Sequence, residues 1–204
     1  KSKLIYNPSM KKLLLLLFLV MILFIFYSEI KSYYYSNEPI KSEGNYTDGQ
    51  LNGKEIFWHE NGQIEEEKNY KDGQLINKTN YEYYGNGQIK KKENYKAGKQ
   101  DGKWTWWYEN GQKYQEGKFK DGEIDGKWIG WYENGQKRYE HNYKAGKQDG
   151  KWTYWDENGQ KMMEENFKDD KKDGKLTMWH ENGQKEMEEN FKDDKKDGKL
   201  TMWH

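Results

Sequence analysis

Hydrophobic positions along this chain follow two regimes. From Leu13 to Tyr27 fifteen residues are apolar without a break, directly behind Met10-Lys11-Lys12. After Glu43 large aromatics stand singly or in short clusters among Lys, Glu, Asp, Asn and Gly, and they return at a fixed interval. The first regime predicts a signal peptide or short signal anchor over residues 10–29. A free-standing membrane helix wants ~20 apolar residues, so fifteen is short for one. Met10 reads as the translation start, with residues 1–9 as an upstream segment. Lysines ahead of the run place its front end in the cytoplasm and send the rest across the membrane. Residues 30–43, with Tyr33-Tyr34-Tyr35 and then Asn37-Glu38-Pro39, show no clear period and read as a tether.

The second regime is a repeat, and a fixed period of this length outranks any local signal. Asn-Gly-Gln recurs at Asn61, Asn86, Asn110, Asn134, Asn158 and Asn182, at spacings of 25 and then 24 four times. Three residues before each Asn stands an aromatic: Trp58, Tyr83, Trp107, Trp131, Trp155 and Trp179, with Trp203 continuing the series. A second aromatic recurs at Tyr70, Tyr95, Phe119, Tyr143, Phe167 and Phe191. A Gly precedes most of the Trp segments, at Gly53, Gly102, Gly126, Gly150, Gly174 and Gly198. Aromatic and Thr content on both sides of each Asn-Gly favours strands.

Asn-Gly at 61–62, 86–87, 110–111, 134–135, 158–159 and 182–183 reads as the two-residue type I′ link of a β-hairpin, with both central residues at positive φ. On that reading Trp107 faces Tyr114 across the hairpin, while Trp104 and Trp106 point to the other face. A second turn joins the hairpins, as in 96–102 and 120–126. Its Gly98, Gly122 and Gly146 become Asp170 and Asp194, and Asp tolerates the left-handed region well enough to keep the turn. Because the period is even, each aromatic returns to the same sheet face. The units 157–180 and 181–204 differ only at Met162 and Glu186. The expected fold is therefore all-β: an elongated, single-layer twisted sheet of consecutive antiparallel hairpins over residues 44–204, with the last unit truncated. One hydrophobic helix precedes it.

Composition changes this picture in one respect. With 33% hydrophobic and 34% charged residues the chain would read as disordered, yet 17% are Phe, Trp or Tyr. The apolar material lies in large rings at fixed places, which suits a thin repeated structure better than one thick core. Thirty-five basic and 35 acidic residues are closely interspersed, so no basic stripe marks a nucleic-acid partner. Cysteine is absent, which removes disulfides, thiolate metal sites and cysteine nucleophiles.

Regularity also bears on candidate chemistry. His59, His180 and His204 share the position after the Trp. Equivalent residues one hairpin apart sit roughly 9.6 Å apart, twice the ~4.8 Å strand spacing, while a zinc–nitrogen bond is ~2.0–2.1 Å. Glu60, Glu109, Glu133, Glu157 and Glu181 form a similar series, but acid–base pairs need environments that separate their pKa values, and repetition makes the environments alike. Asp169-Asp170-Lys171-Lys172-Asp173-Gly174 interrupts its oxygen ligands with lysines, which oppose a calcium ion. No catalytic, cofactor-binding or metal residue is expected. The candidate site is the ladder Trp58, Tyr83, Trp107, Trp131, Trp155 and Trp179. Its first role is ring stacking along the sheet, and one face left open could bind a ligand.

The unit Gly-Lys-Trp-x-x-Trp-Tyr-Glu-Asn-Gly-Gln-Lys, followed by Glu-x-x-Tyr/Phe-Lys-x-Gly, resembles the MORN repeat (membrane occupation and recognition nexus). It is similar to the bacterial variant found in YwqK-family antitoxins, over Glu43 to His204. The resemblance implies an extended single-layer sheet of hairpins. MORN repeats also occur beside kinases, but this chain has no Gly-rich phosphate loop and no catalytic Asp-Asn loop. The expected function is a non-enzymatic scaffold for protein or surface interaction, with the repeats extracytoplasmic at the cell envelope and the membrane reached through the N-terminal segment. Two alternatives are a cell-wall glycan-binding module and a toxin-neutralising protein.

Overall fold

The computed structural model describes residues 28–203, which are strands and turns throughout. The expected N-terminal helix and the apolar run lie outside the described residues. Two compact units divide the chain, the first ending at Ile76 and the second starting at Asn77.

In the first unit β1 (Ser28–Tyr34), β2 (Ile40–Thr47), β3 (Gln50–Trp58) and β4 (Ile64–Lys71) form an antiparallel meander. Residues 30–43, expected as a tether, hold most of β1 and the start of β2. What the missing period concealed is a tight turn: Tyr35 N–H donates to the Pro39 carbonyl at 2.9 Å, and Glu38 N–H to the Tyr35 carbonyl at 3.0 Å. The Tyr35 hydroxyl then donates to the Trp58 carbonyl at 2.7 Å, fixing this turn against the next hairpin. The chain enters the second unit within β5 (Gln74–Tyr83).

The second unit repeats one motif. A long strand is followed by a two-residue strand and then a six-residue strand: β6 (Ile89–Lys96), β7 (Lys99–Gln100), β8 (Gly102–Trp107); β9 (Lys113–Lys120), β10 (Glu123–Ile124), β11 (Gly126–Trp131). It continues with β12 (Lys137–Lys144), β13 (Lys147–Gln148), β14 (Gly150–Trp155); β15 (Lys161–Lys168), β16 (Lys171–Lys172), β17 (Gly174–Trp179). It ends with β18 (Lys185–Lys192), β19 (Lys195–Lys196) and β20 (Thr201–Met202). β8 pairs with β9 over its whole length, from Gly102↔Phe119 to Trp107↔Lys113. β9 turns back on β10 for two pairs. Asp125 N–H still donates to the Lys118 carbonyl at 2.9 Å; beyond it the register shifts, and β9 meets β11 at Ile129↔Glu116 and Gly130↔Gln115. β12, β15 and β18 behave alike.

The Asn-Gly turns differ from expectation. In each only the Gly has positive φ, as at Gly111 (83°), and the preceding Asn does not. Gly111 N–H donates to the Tyr108 carbonyl at 3.0 Å, and Tyr108 N–H to the Gln112 carbonyl at 2.8 Å. That is a longer link, a turn closed by a left-handed Gly, rather than a two-residue type I′ turn. Asn is required for its side chain instead. Asn110 Oδ1 accepts from Gln112 N–H at 2.9 Å, and Nδ2 donates to the Glu133 carbonyl of the next turn at 3.1 Å. Asn86 and Asn134 reach Glu109 and Glu157 in the same way. The longer link shifts the register between Trp106 and Trp107, so Trp107 faces Lys113 and not Tyr114.

The two-residue type I′ geometry occurs in the other turn. Asp121 and Gly122 have φ of 53° and 96°, Asp169 and Asp170 of 47° and 67°. The substitution of Gly by Asp170 and Asp194 does keep the turn.

The core lies on one sheet face and is built across strands. Trp104 is 4% exposed. Its ring meets Tyr95, Trp106 and Phe119 at 4.9–5.6 Å, and its Nε1–H donates to the Asn94 carbonyl at 2.8 Å. Trp152 repeats this with Tyr143, Phe167 and the Asn142 carbonyl. Leu176 holds the same place, also buried. The second aromatic series pairs with glycines: Phe119 with Gly102, Tyr143 with Gly126, Phe167 with Gly150 and Phe191 with Gly174.

Candidate functional site

Among the described residues no ring contact joins Trp107, Trp131, Trp155 and Trp179 of the expected ladder to one another. Trp58, Tyr83, Trp107, Trp131, Trp155 and Trp179 are all half-buried. Lysines alternate with the later Trp rings: Lys113 Nζ lies over Trp131 at 5.4 Å, Lys137 over Trp155 at 5.5 Å and Lys161 over Trp179 at 5.1 Å. A cation over a Trp face is attracted by the ring quadrupole. The register shift after Trp106 brings this about, because it sets Lys113 opposite Trp107.

Each of these lysines is also tied down. Glu116 accepts from Lys113 at 2.6 Å and pairs with Lys103 at 2.9 Å. Glu140 does so with Lys137 and Lys127, Glu164 with Lys161 and Lys151, and Glu188 with Lys185 and Lys175. Burial alone would raise the carboxyl pKa of Glu116, Glu140 and Glu164, but hydrogen bonds from the two lysines outweigh it and hold each below the usual value. Buried Thr153 lies between Glu140 and Glu164 and buried Thr177 between Glu164 and Glu188, Ile129 takes the place between Glu116 and Glu140, and buried Thr105 lies between Lys92 and Glu116. This face is therefore a repeated frame of Thr, paired Glu–Lys and Lys-capped Trp.

From Asn86 on, the position four residues after each Asn changes in every repeat: Lys90, Tyr114, Arg138, Met162 and Glu186. In three repeats it packs on the tyrosine that follows the ladder aromatic. Lys90 Nζ lies over the Tyr84 ring at 5.9 Å, Tyr114 meets Tyr108 edge-on at 5.1 Å, and Arg138 lies over Tyr132 at 5.7 Å. Those tyrosines brace one hairpin against the next. The Tyr84, Tyr108 and Tyr132 hydroxyls donate to the Trp107, Trp131 and Trp155 carbonyls at 2.7, 2.8 and 2.9 Å. Neither series stood out from spacing alone. The signal was available in the residue after each Trp and the residue four after each Asn.

The other candidates take structural places. The turn-flanking Glu60, Glu109, Glu133, Glu157 and Glu181 are exposed, and the carbonyls of Glu109, Glu133 and Glu157 serve the Asn relay. Asn61 Oδ1 accepts from Gln63 N–H, and Asn182 Oδ1 from Gln184 N–H. Gly62, Gly87, Gly135, Gly159 and Gly183 share the positive φ of Gly111. Among the described residues no three His, Asp or Glu side chains converge on a common ion. His204 lies outside the described residues.

His141 has a distinct environment. It occupies the place that Glu93, Glu165 and Glu189 hold in other repeats. Its ring stacks on Trp152 at 3.7 Å with a 10° interplanar angle, and on Tyr139 at 4.6 Å. Its Nε2 is buried without a hydrogen-bond partner. Burial pushes its pKa from 6.5 down to about 4. The unfolded chain then binds the proton more readily, so the contribution of this site is intact above pH 6.5 and is lost as pH falls from 6.5 towards 4. Discounted for partial exposure, the loss is on the order of 1–3 kcal/mol. A His141→Gln variant is expected to show a flatter fall in its urea midpoint over that window than the parent; equal slopes would remove the assignment.

The sequence profile of a family described as a MORN repeat variant matches six stretches, residues 51–72, 77–97, 100–121, 124–145, 148–169 and 172–193. None of the curated proteins matches the chain.

Proposed function

Because this chain belongs to the MORN repeat variant family, whose repeats serve as non-catalytic scaffolds for protein or membrane interaction, we propose that its Thr–Glu–Lys–Trp face holds a protein partner outside the cytoplasm, at the cell envelope. The observation that carries the reading is the contrast between a fixed frame and one changing position. The Glu–Lys pairs recur in four successive repeats, from Glu116 to Glu188, whereas Tyr114, Arg138, Met162 and Glu186 in those repeats differ in charge, size and polarity. Tyr114 is 37% exposed and Met162 50%. A surface that changes character along a rigid frame can discriminate one protein surface from another. A glycan would need open ring faces for stacking, and lysines lie over Trp131, Trp155 and Trp179. The envelope location rests on Met10-Lys11-Lys12 and the apolar run behind it.

A photo-crosslinking residue at Tyr114 in the full chain, activated in cells, is expected to capture one discrete protein species. Protease added to intact cells from which any outer wall has been opened should cut the repeats. Retention on purified cell-wall glycan with no protein adduct would sink the protein-partner reading, and protected repeats would sink the location.

A further inference from the structure

The bracing tyrosine stands in three successive turns, at Tyr84, Tyr108 and Tyr132, and is replaced by His59, Asp156 and His180 in the other turns. Where Tyr84, Tyr108 and Tyr132 stand, the next unit has Asp156. Its carboxylate turns back into its own hairpin, Oδ1 accepting from Asn158 N–H at 2.9 Å and Gln160 N–H at 2.8 Å. It does not extend to the Trp179 carbonyl, the counterpart of the carbonyls that accept the tyrosine hydroxyls of the preceding repeats. The turn-to-turn link is made another way, Gln160 Nε2 donating to the His180 carbonyl at 2.9 Å. A groove lined by Tyr132, Asp156, Gln160, Lys161, Met162 and Trp179 lies at this place.

The side chain that would have packed on the missing ring is Met162. Its counterparts Lys90, Tyr114 and Arg138 each lie against a tyrosine, whereas Met162 is 50% exposed. A thioether is well suited to lie against an aromatic ring. The next repeat has Glu186 at this position in an otherwise identical unit, so the fold itself does not call for methionine.

We infer that this groove is a docking slot for a tyrosine side chain of the protein partner, the ring lying against Met162 and the hydroxyl donating to the Trp179 carbonyl. Three repeats of this same chain supply the template: a phenol hydroxyl 2.7–2.9 Å from the equivalent carbonyl, with the variable residue on its ring. The inference rests on the protein-partner reading above and gives it a point of contact.

The test uses the full chain and two blocked tripeptides at millimolar concentration, acetyl-Gly-Tyr-Gly-amide and its Phe counterpart. Saturation-transfer NMR reads the peptide ring protons, and methionine-methyl NMR reads Met162. The Tyr peptide is expected to receive saturation and to move the Met162 methyl upfield. The Phe peptide should bind about fivefold more weakly, the effect of one modest hydrogen bond. Asp156→Tyr fills the slot from within and should abolish the signal. Met162→Glu, which the neighbouring repeat already tolerates, should do the same even where Asp156→Tyr disturbs folding. No saturation with the parent chain, equal binding of the two peptides, or binding unchanged in Met162→Glu would overturn the slot. If the slot fails while crosslinking through Tyr114 still captures a protein, the scaffold reading stands alone; if capture fails too, both fall.

Discussion

Replacing Trp152 with Ala is expected to cost about 3–5 kcal/mol, the usual range for truncating a buried Trp. The ring is 7% exposed and lies against His141, Tyr143 and Phe167. Its Nε1–H also donates to the Asn142 carbonyl, which accepts from Asp149 N–H as well, so truncation removes one of that oxygen's two bonds. Trp155 offers a direct comparison three residues on. It is half-buried, with Lys137 over one face, and truncating it should cost about 1 kcal/mol, on the scale of an exposed cation–π pair. Urea titrations of the two variants, followed by circular dichroism, decide the matter. Equal losses would mean that the core does not run through Trp104, Trp152 and Leu176.

Gly117→Ala is expected to lower stability by about 1–3 kcal/mol, the range for overpacking a filled site. A methyl group built there would lie 1.9 Å from Cε3 of Trp128. The backbone is not the obstacle, because Gly117 has no positive φ and equivalent positions carry Glu93, His141, Glu165 and Glu189. The obstacle is the indole, which has settled onto the bare backbone of the preceding strand. Pairing the change with Trp128→Leu, the residue type found at Leu176, should recover most of the loss. A double-mutant cycle measures the coupling directly; additive effects would show that Trp128 does not rest on Gly117.

Much of the fold was legible because the period of 24 and the aromatic positions leave consecutive hairpins as the natural solution. Turn type was not, because Asn-Gly suits both a two-residue link and the last residues of a longer one. Only the bond from Gly111 N–H to the Tyr108 carbonyl separates them. The longer link changes the residue across the hairpin, putting Lys113, not Tyr114, opposite Trp107. Read residue by residue, Trp107 and Trp104 look equally eligible for the core. What separates them is which partner lies across the next hairpin, a non-local fact absent from spacing. The braces were visible as Tyr84, Tyr108 and Tyr132 directly after Tyr83, Trp107 and Trp131, but their role depends on a carbonyl 23 residues away.

The near identity of the last two units reaches beyond the native state. Strand β14 could pair with residues 185–192 almost as well as with 161–168, since the two segments differ only at Met162 and Glu186. Side-chain chemistry therefore gives the folding chain little help in choosing the nearer one. Closing the wrong hairpin spans roughly 29 residues in place of roughly five, which costs only about 1.5 kcal/mol more in chain entropy. In the last units of this protein, connectivity more than recognition keeps each strand beside its rightful neighbour.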